Sequence, residues 1–342
     1  MTKITIPLDN PTLDDVARHA DVSPATVSRF MNNPSIVSER SKRKIEESIR
    51  ELSYVPHAAA RTLASKKSRM IGVVVPSLDD ALFGHFLELF HSHISTEGYT
   101  TVVASSGYSS DEEHIQITQM VSHGVDALLL VGLARDESVY SLLNKKKIPY
   151  AITWATDDLG EHSCVGFSNH DAAVKITEYL MDLGHRQFAM ISGTLKGNDR
   201  ASNRLQGVRD ALARRELSLP DELVIEGPIG IEHGQKAFKL LMSRSPRPTV
   251  IVCGADPLAY GAIFESKVLG VEVPQDVSIT GFDDTWLAAH LTPSLTTLRT
   301  PQQQMSLLSA EYLIAKLKGE DVDVPPTLGV DLVVRESCSS PA

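Results

Sequence analysis

The residues of this 342-residue chain that could do chemistry are first its arginines and lysines. Arg40, Lys42, Arg43 and Lys44 crowd the start of a predicted helix, where positive charge opposes the helix dipole and a nearby phosphate backbone would compensate it. The net charge is −10, but residues 1–69 hold 12 Lys and Arg against 8 Asp and Glu, while the remainder holds 21 against 35. A small basic head precedes a large acidic body, so contact with a polyanion is expected of the head alone. Catalytic patterns are missing. His85, His91 and His93 lack the i, i+4 pairing that sets two metal ligands on one helical face, and Cys164, Cys253 and Cys338 are too widely separated for a Cys-x-x-Cys motif. No glycine-rich phosphate loop and no Gly-x-Ser-x-Gly elbow occurs, and the adjacent carboxylates Asp79-Asp80 and Asp283-Asp284 do not suggest a general-acid pair. No enzyme, cofactor or metal is therefore expected. Lys145-Lys146-Lys147 suits the negative end of a helix and needs no ligand.

The elements that position these charges follow from capping and periodicity. Thr12 caps a helix over 13–20, with Val16, Ala17 and Ala20 as its apolar strip. Ser23-Pro24 starts a second helix over 24–31, with Val27 and either Phe30 or Met31 facing inward and Ala25, Thr26, Ser28, Arg29 and Asn32 left for other faces. Ser38 caps a third over 39–52, with Ile45, Ile49 and Leu52 inward. Residues 57–65 form a strong but short helix former, expected to order only against a partner. From Arg69 onward buried-strand runs alternate with helical patterns: 70–75, 83–97, 101–104, 111–122, 127–131, 150–153, 171–183, 188–191, 201–213, 223–225, 234–242, 250–253, 258–269 and 277–280. That is too many units for one doubly wound domain, so two lobes with a cleft at the carboxyl ends of their strands are expected. No run approaches the roughly 20 apolar residues of a membrane span and no secretory pattern opens the chain, so a cytoplasmic protein is expected.

The segments Thr12-Leu-Asp-Asp-Val-Ala, Ser23-Pro-Ala-Thr-Val-Ser-Arg29 and Tyr54-Val-Pro-His-Ala-Ala-Ala-Arg-Thr-Leu63 closely resemble the head and hinge of the lactose/galactose-repressor (LacI/GalR) family of bacterial transcription regulators. The resemblance runs nearly end to end. It implies an α/β protein with a helix-turn-helix head over 1–56, a hinge helix and linker over 57–68, and a two-lobed body over 69–342. That body would have the fold of periplasmic sugar-binding proteins, built of doubly wound parallel sheets. Its first lobe would take 69–156 and 292–322, its second 157–291 and 323–342. By position, Pro24, Ala25, Ser28 and Arg29 would face bases, Thr26, Asn32 and His57 would touch phosphates, and Leu63 would be the minor-groove wedge. Thr12, Ser23 and Arg61 complete the DNA-binding set. Pro24 and Ala25 stand where family members often carry longer polar readers, so base readout should rest on Arg29.

In the body, Gly184-His-Arg, Arg204-Leu-Gln-Gly-Val, Ala255-Asp-Pro-Leu-Ala-Tyr-Gly261, Gly281-Phe-Asp-Asp284 and Pro293-Ser-Leu-Thr-Thr-Leu298 look like the family's effector-domain signatures. The resemblance implies that Leu82, Phe83, Asp171, Arg204 and Asp283 contact a small-molecule effector, Arg204 as a two-point clamp and the aspartates as acceptors of hydroxyl hydrogens. Trp154, ending a predicted strand, could add an apolar wall. Ala255 replaces a common asparagine and Ile229 a common aromatic, which disfavours a stacked purine and favours a sugar, sugar acid or related carboxylate. The tail after Val330 lacks heptads, so a homodimer on pseudo-palindromic double-stranded operator DNA is expected. A solute-binding transport protein sharing the body's fold is the alternative.

Overall fold

A computed structural model describes residues 11–55, 67–157 and 159–341. His57, Arg61 and Leu63, and with them the expected hinge helix, lie outside the described residues. The chain divides between Ser68 and Arg69 into two compact units.

The first unit is three helices: α1 Leu13–Ala20, α2 Pro24–Asn32 and α3 Glu39–Glu51. Each starts on a hydroxyl cap. Thr12 Oγ1 accepts from the Asp15 amide at 3.3 Å while Asp15 Oδ2 accepts from the Thr12 amide at 2.9 Å, so an aspartate completes this capping box. Ser23 and Ser38 accept from the amides of Thr26 and Ser41; a cap of this kind contributes about 1 kcal/mol. Val16, Ala17, Ala20, Val27, Phe30, Val37 and Ile45 form the core. Phe30, not Met31, is the buried member of its pair. Part of the basic first turn of α3 is balanced internally: Lys42 pairs with Glu39 at 2.6 Å and Lys44 with Asp21 at 3.3 Å. Arg40 and Arg43 stay exposed.

The second unit contains two parallel sheets. In the first lobe β1 Met70–Val75, β2 Thr100–Ser105, β3 Ala127–Val131, β4 Tyr150–Thr153 and β5 Cys164–Val165 run in the order β2-β1-β3-β4-β5. In the second lobe β6 Phe188–Gly193, β7 Val224–Gly227, β8 Val250–Cys253 and β9 Ser278–Thr280 run in the order β7-β6-β8-β9. Helices cover both faces, and the period of two sorts the strand side chains between them. Ile71, Val73 and Val75 meet α4 Ala81–Thr96 and α11 Gln302–Lys318, whereas Val74 meets α5 Ser110–Ser122 and α6 Glu137–Lys146. Likewise Ala189, Ile191, Ile251 and Cys253 meet α9 Ile231–Met242 and α10 Asp256–Leu269, and Phe188, Met190, Val250 and Val252 meet α7 Asn169–Asp182 and α8 Asp199–Ala213.

The chain passes between the lobes after β5, between β9 and α11, and between α11 and Ser337, and the three passes bond to one another. Asp283 N–H donates to Leu298 O at 2.8 Å, Leu328 N–H to Gly166 O at 2.8 Å, and β10 Thr297–Arg299 pairs antiparallel with β11 Asp331–Val333. Two features differ from the expectation. Cys164 and Val165 register against Ile152 and Thr153 of β4, so the first lobe continues past residue 156; two residues are too few to display a strand period. Helix α11 stood outside the expected series because Ser306 and Ser309 share its buried face with Met305, Ala310 and Leu313 and dilute the apolar signal. Among the described residues no helix is long and apolar enough to cross a membrane.

Helices α9 and α10 approach closely at two glycines. A Cβ on Gly261 would stand 2.1 Å from Ile231 O, and one on Gly234 would stand 2.2 Å from Leu258 O. Both obstacles are backbone and cannot rotate away. Gly261→Ala is therefore expected to cost about 1–3 kcal/mol, read as a drop of several degrees in thermal melting, whereas Val268→Ala on the exposed face of α10 should leave the melting temperature unchanged.

Candidate functional site

Two surfaces carry the expected residues. In the head, burial of Val27 and Phe30 turns Ser23, Pro24, Ala25 and Arg29 outward, with Ser28 half-buried beside them. Thr26 is also half-buried, and its hydroxyl lies 2.8 Å from Ser23 Oγ. Thr12 is exposed with its hydroxyl in the capping box. Arg29 has no ion-pair partner among the described residues, leaving its guanidinium available to a base edge or phosphate.

In the body, a nearly closed cleft with a cavity of about 30 Å³ lies between the lobes, lined by Asp80, Leu82, Phe83, Tyr108 and Trp154 on one side and by Asn198, Arg200, Arg204, Ile229, Ala255 and Asp283 on the other. Arg204, in the middle of α8, is its electrostatic centre and is 7% exposed. Its Nε donates to Asn169 Oδ1 at 2.8 Å, its Nη1 donates to Gly254 O, and its guanidinium carbon lies 3.5 Å from the Phe282 ring centroid. No carboxylate among the described residues comes within ion-pair distance of it. Burial works against its charge and Asp283 supports it. A guanidinium does not deprotonate in proteins, so this is a buried positive charge without a counterion.

Asp283 supplies the opposite handle. It is 4% exposed, sits at φ +112, and its Oδ1 has no hydrogen-bond partner among the described residues. Burial pushes its carboxyl well above the ordinary range, against the pull of Arg204. Asp80 caps α4 through the Leu82 amide at 3.0 Å, and its pKa is also raised by burial. Burial pushes the Tyr108 phenol up to about 12, which keeps it a neutral donor. Trp154, 1% exposed at φ +56, forms the apolar wall in edge contact with Phe83 and Phe86 at 5.2 and 4.5 Å, and its Nε1 has no partner among the described residues. Positive-φ backbone at non-glycine residues is strained, and here it sits at three cleft positions, Tyr108, Trp154 and Asp283.

Leu82, Phe83, Trp154, Arg204 and Asp283 are thus brought together, but Asp171 is not. Ser168 caps α7, which places Asp171 in the first turn with its side chain 79% exposed and 2.9 Å from His170. Asn169 faces inward instead, donating to Trp154 O at 2.7 Å while holding Arg204. The phase of α7, readable from the Ser168 cap, was the signal that separates the two. Asp80, Tyr108, Asn198 and Arg200 were also missed; of these only Arg200 was legible, four residues before Arg204 on the same helical face.

The region over residues 12–57 matches the family described as bacterial regulatory proteins, lacI family, and residues 177–338 match a periplasmic binding protein-like domain. The HTH-type transcriptional regulator GntR of Pseudomonas aeruginosa is 33% identical over 329 residues, covering 96% of this chain and 95% of the relative. The chain belongs to the lacI family. Catabolite control protein A of Priestia megaterium is 29% identical, over 92% of this lacI-family chain and 95% of the relative. Among solved structures, the lac repressor dimer bound to operator and the anti-inducer ONPF is similar with a TM-score of 0.85 at 26% identity, over 97% of this chain and 100% of the other. The CelR–cellobiose complex is similar with a TM-score of 0.71 at 27% identity, over 96% of this chain and 100% of the other.

The lacI-family signatures acquire physical roles in this fold. Asp256 is fully buried and accepts from Thr297 Oγ1 and the Thr285 amide, both at 2.7 Å, which ties α10 to two points of the lobe-crossing segment between β9 and α11. Gly281 leaves the room this needs, since a Cβ there would stand 2.2 Å from Asp256 Oδ1. Asp284 accepts from Arg299 at 2.8 Å and pairs with Arg335 at 2.7 Å, clamping the crossing strands.

A pH dependence follows. Burial raises Asp256 to about 7 and Asp283 well above its ordinary value, so the folded state keeps protons that the unfolded chain releases. Stability from these groups is full below the unfolded carboxylate range, near pH 4, and is lost as pH rises through their folded values. Asp283→Asn mimics the protonated acid. Its melting temperature should match the parent's at about pH 4 and below and pull increasingly above it as pH rises; parallel pH profiles would contradict the raised carboxyl.

Proposed function

We propose that the protein is a homodimeric, cytoplasmic repressor of transcription, whose affinity for a pseudo-palindromic operator is controlled by a sugar, sugar acid or related carboxylate bound between the lobes. The observation that carries the ligand reading is the buried Arg204 guanidinium without a counterion among the described residues, facing the same cleft as the buried Asp283 carboxyl and its unpartnered oxygen. A ligand bearing hydroxyls and a carboxylate answers both, and Ile229 in place of an aromatic platform agrees with a non-planar polyol.

The DNA reading rests on the outward face of α2 and on the relatives. Pro24, Ala25, Ser28 and Arg29 face bases, with Arg29 carrying most of the direct readout and Ala25 offering a methyl contact. Thr26, Asn32 and His57 serve the phosphate backbone, Arg61 completes the DNA-binding set, and Leu63 wedges the minor groove. The lac repressor dimer was solved on its operator with an anti-inducer, and CelR with cellobiose, which supports both the double-stranded DNA partner and the sugar class. Control follows from differential affinity. The effector shifts operator binding only as far as it prefers one arrangement of the lobes over the other.

A duplex selected by the purified chain from a randomised pool provides the test. Arg29→Ala should weaken binding to that duplex about 10- to 100-fold, as expected for one bidentate contact to guanine, and leave unchanged any thermal shift given by sugars and sugar acids. Failure to enrich any duplex would overturn the DNA reading, and a thermal shift from neither sugars nor acids would overturn the ligand class.

A further inference from the structure

The loop after β3 and the first residue of α8 belong to different lobes, yet they are hydrogen bonded. Asp199 Oδ2 accepts from the Leu133 amide at 2.9 Å, and its Oδ1 accepts from the Ala134 amide at 3.3 Å. The Asp199 side chain is 18% exposed and that of its neighbour Arg200 11%. One carboxylate therefore grips two consecutive backbone donors across the cleft, a charge-assisted arrangement stronger than a pair of neutral bonds.

Both halves of this contact are built for it. On the first lobe, the Leu133 carbonyl accepts from Tyr140 Oη at 3.0 Å, Tyr140 Oη accepts from Arg135 at 2.8 Å, and Arg135 is buried in an ion pair with Glu113 at 3.1 Å. The two amides are thus presented by a fixed loop. Gly132 precedes them at φ +75, and a Cβ there would stand 2.1 Å from Arg200 Nη1 and 2.5 Å from Asp199 Oδ1. Only glycine allows this backbone at that distance. On the second lobe, Asn198 accepts from the Ala201 amide and fixes the start of α8, which aims Asp199 at the loop. Arg200, lying over Gly132, also lines the ligand cleft.

We propose that Asp199 is an interlobe latch, a positioning residue that closes the cleft through protein-to-protein bonds alone and sets Arg200 at its wall. Effector binding then acts on lobes whose closed arrangement is already favoured, and loss of the latch raises the population of open cleft.

The chain's own tryptophans report this. In full-length protein carrying Trp286→Phe, Trp154 is the one remaining indole, and it forms the cleft wall. Acrylamide quenching is measured in sugar-free buffer, with matching far-UV circular dichroism as the folding control. Asp199→Ala should raise the Stern–Volmer constant about twofold or more through the larger open population. Gly132→Ala should do the same, and Asp199→Asn, which keeps one acceptor oxygen, should fall between. Quenching constants equal to the parent's in all three would overturn the latch; if Asp199→Ala does not fold, the same reading of Asp199→Asn and Gly132→Ala decides.

Discussion

The effector domain is organised around a positive charge removed from water. Burying Arg204 costs several kcal/mol in solvation, and the surrounding chain is arranged to offset that without a carboxylate partner. Asn169 takes Nε, the Gly254 carbonyl takes Nη1, and Phe282 offers the face of its ring. Those three residues come from the start of α7, the loop after β8 and the crossing segment after β9. The guanidinium can keep its place only if all three segments keep theirs. Asn169 extends the dependence to the other lobe, since its amide donates to Trp154 O in the left-handed turn that ends β4.

The crossing segments obey a related constraint. Asp256, Gly281, Asp283 and Asp284 bring three acids close together, and the structure gives each a different treatment. Asp256 is satisfied by threonines and Asp284 by two arginines, while Asp283 is left with a bare oxygen toward the cleft. The polar group left unsatisfied is thus the one a ligand can reach. Around the same cleft, Trp154, Tyr108 and Asp283 hold positive φ, so rotation of the lobes has residues in which strain is already stored.

Much of this was legible in the sequence. Hydroxyl caps and apolar period located the three head helices to within a residue or two, and buried runs such as Val250–Cys253 located the strands, because both signals are local. The membership of Leu82, Phe83, Arg204 and Asp283 in one cleft was also readable, by position, from the family resemblance. What failed depended on phase or on partners distant in sequence. Asp171 and Asn169 differ by two positions on a helix, enough to turn one to solvent and the other to Arg204. The strand Cys164–Val165 exists because β4 offers it an edge, and α11 is helical despite serines on its buried face because the first lobe covers it. The carboxylate of Asp199 meets its amides 66 and 65 residues away, a pairing that no local pattern announces.

The central claim is that Arg204 is held at the expense of stability for the sake of a ligand. Thermal melting of Arg204→Met, with and without a ligand that stabilises the parent chain, tests it most directly, since methionine replaces the charge with an apolar chain of similar reach. The variant should melt at or above the parent's temperature when free and show no ligand-induced shift. A free variant melting well below the parent, with its ligand response retained, would mean that the guanidinium serves the fold and not the effector.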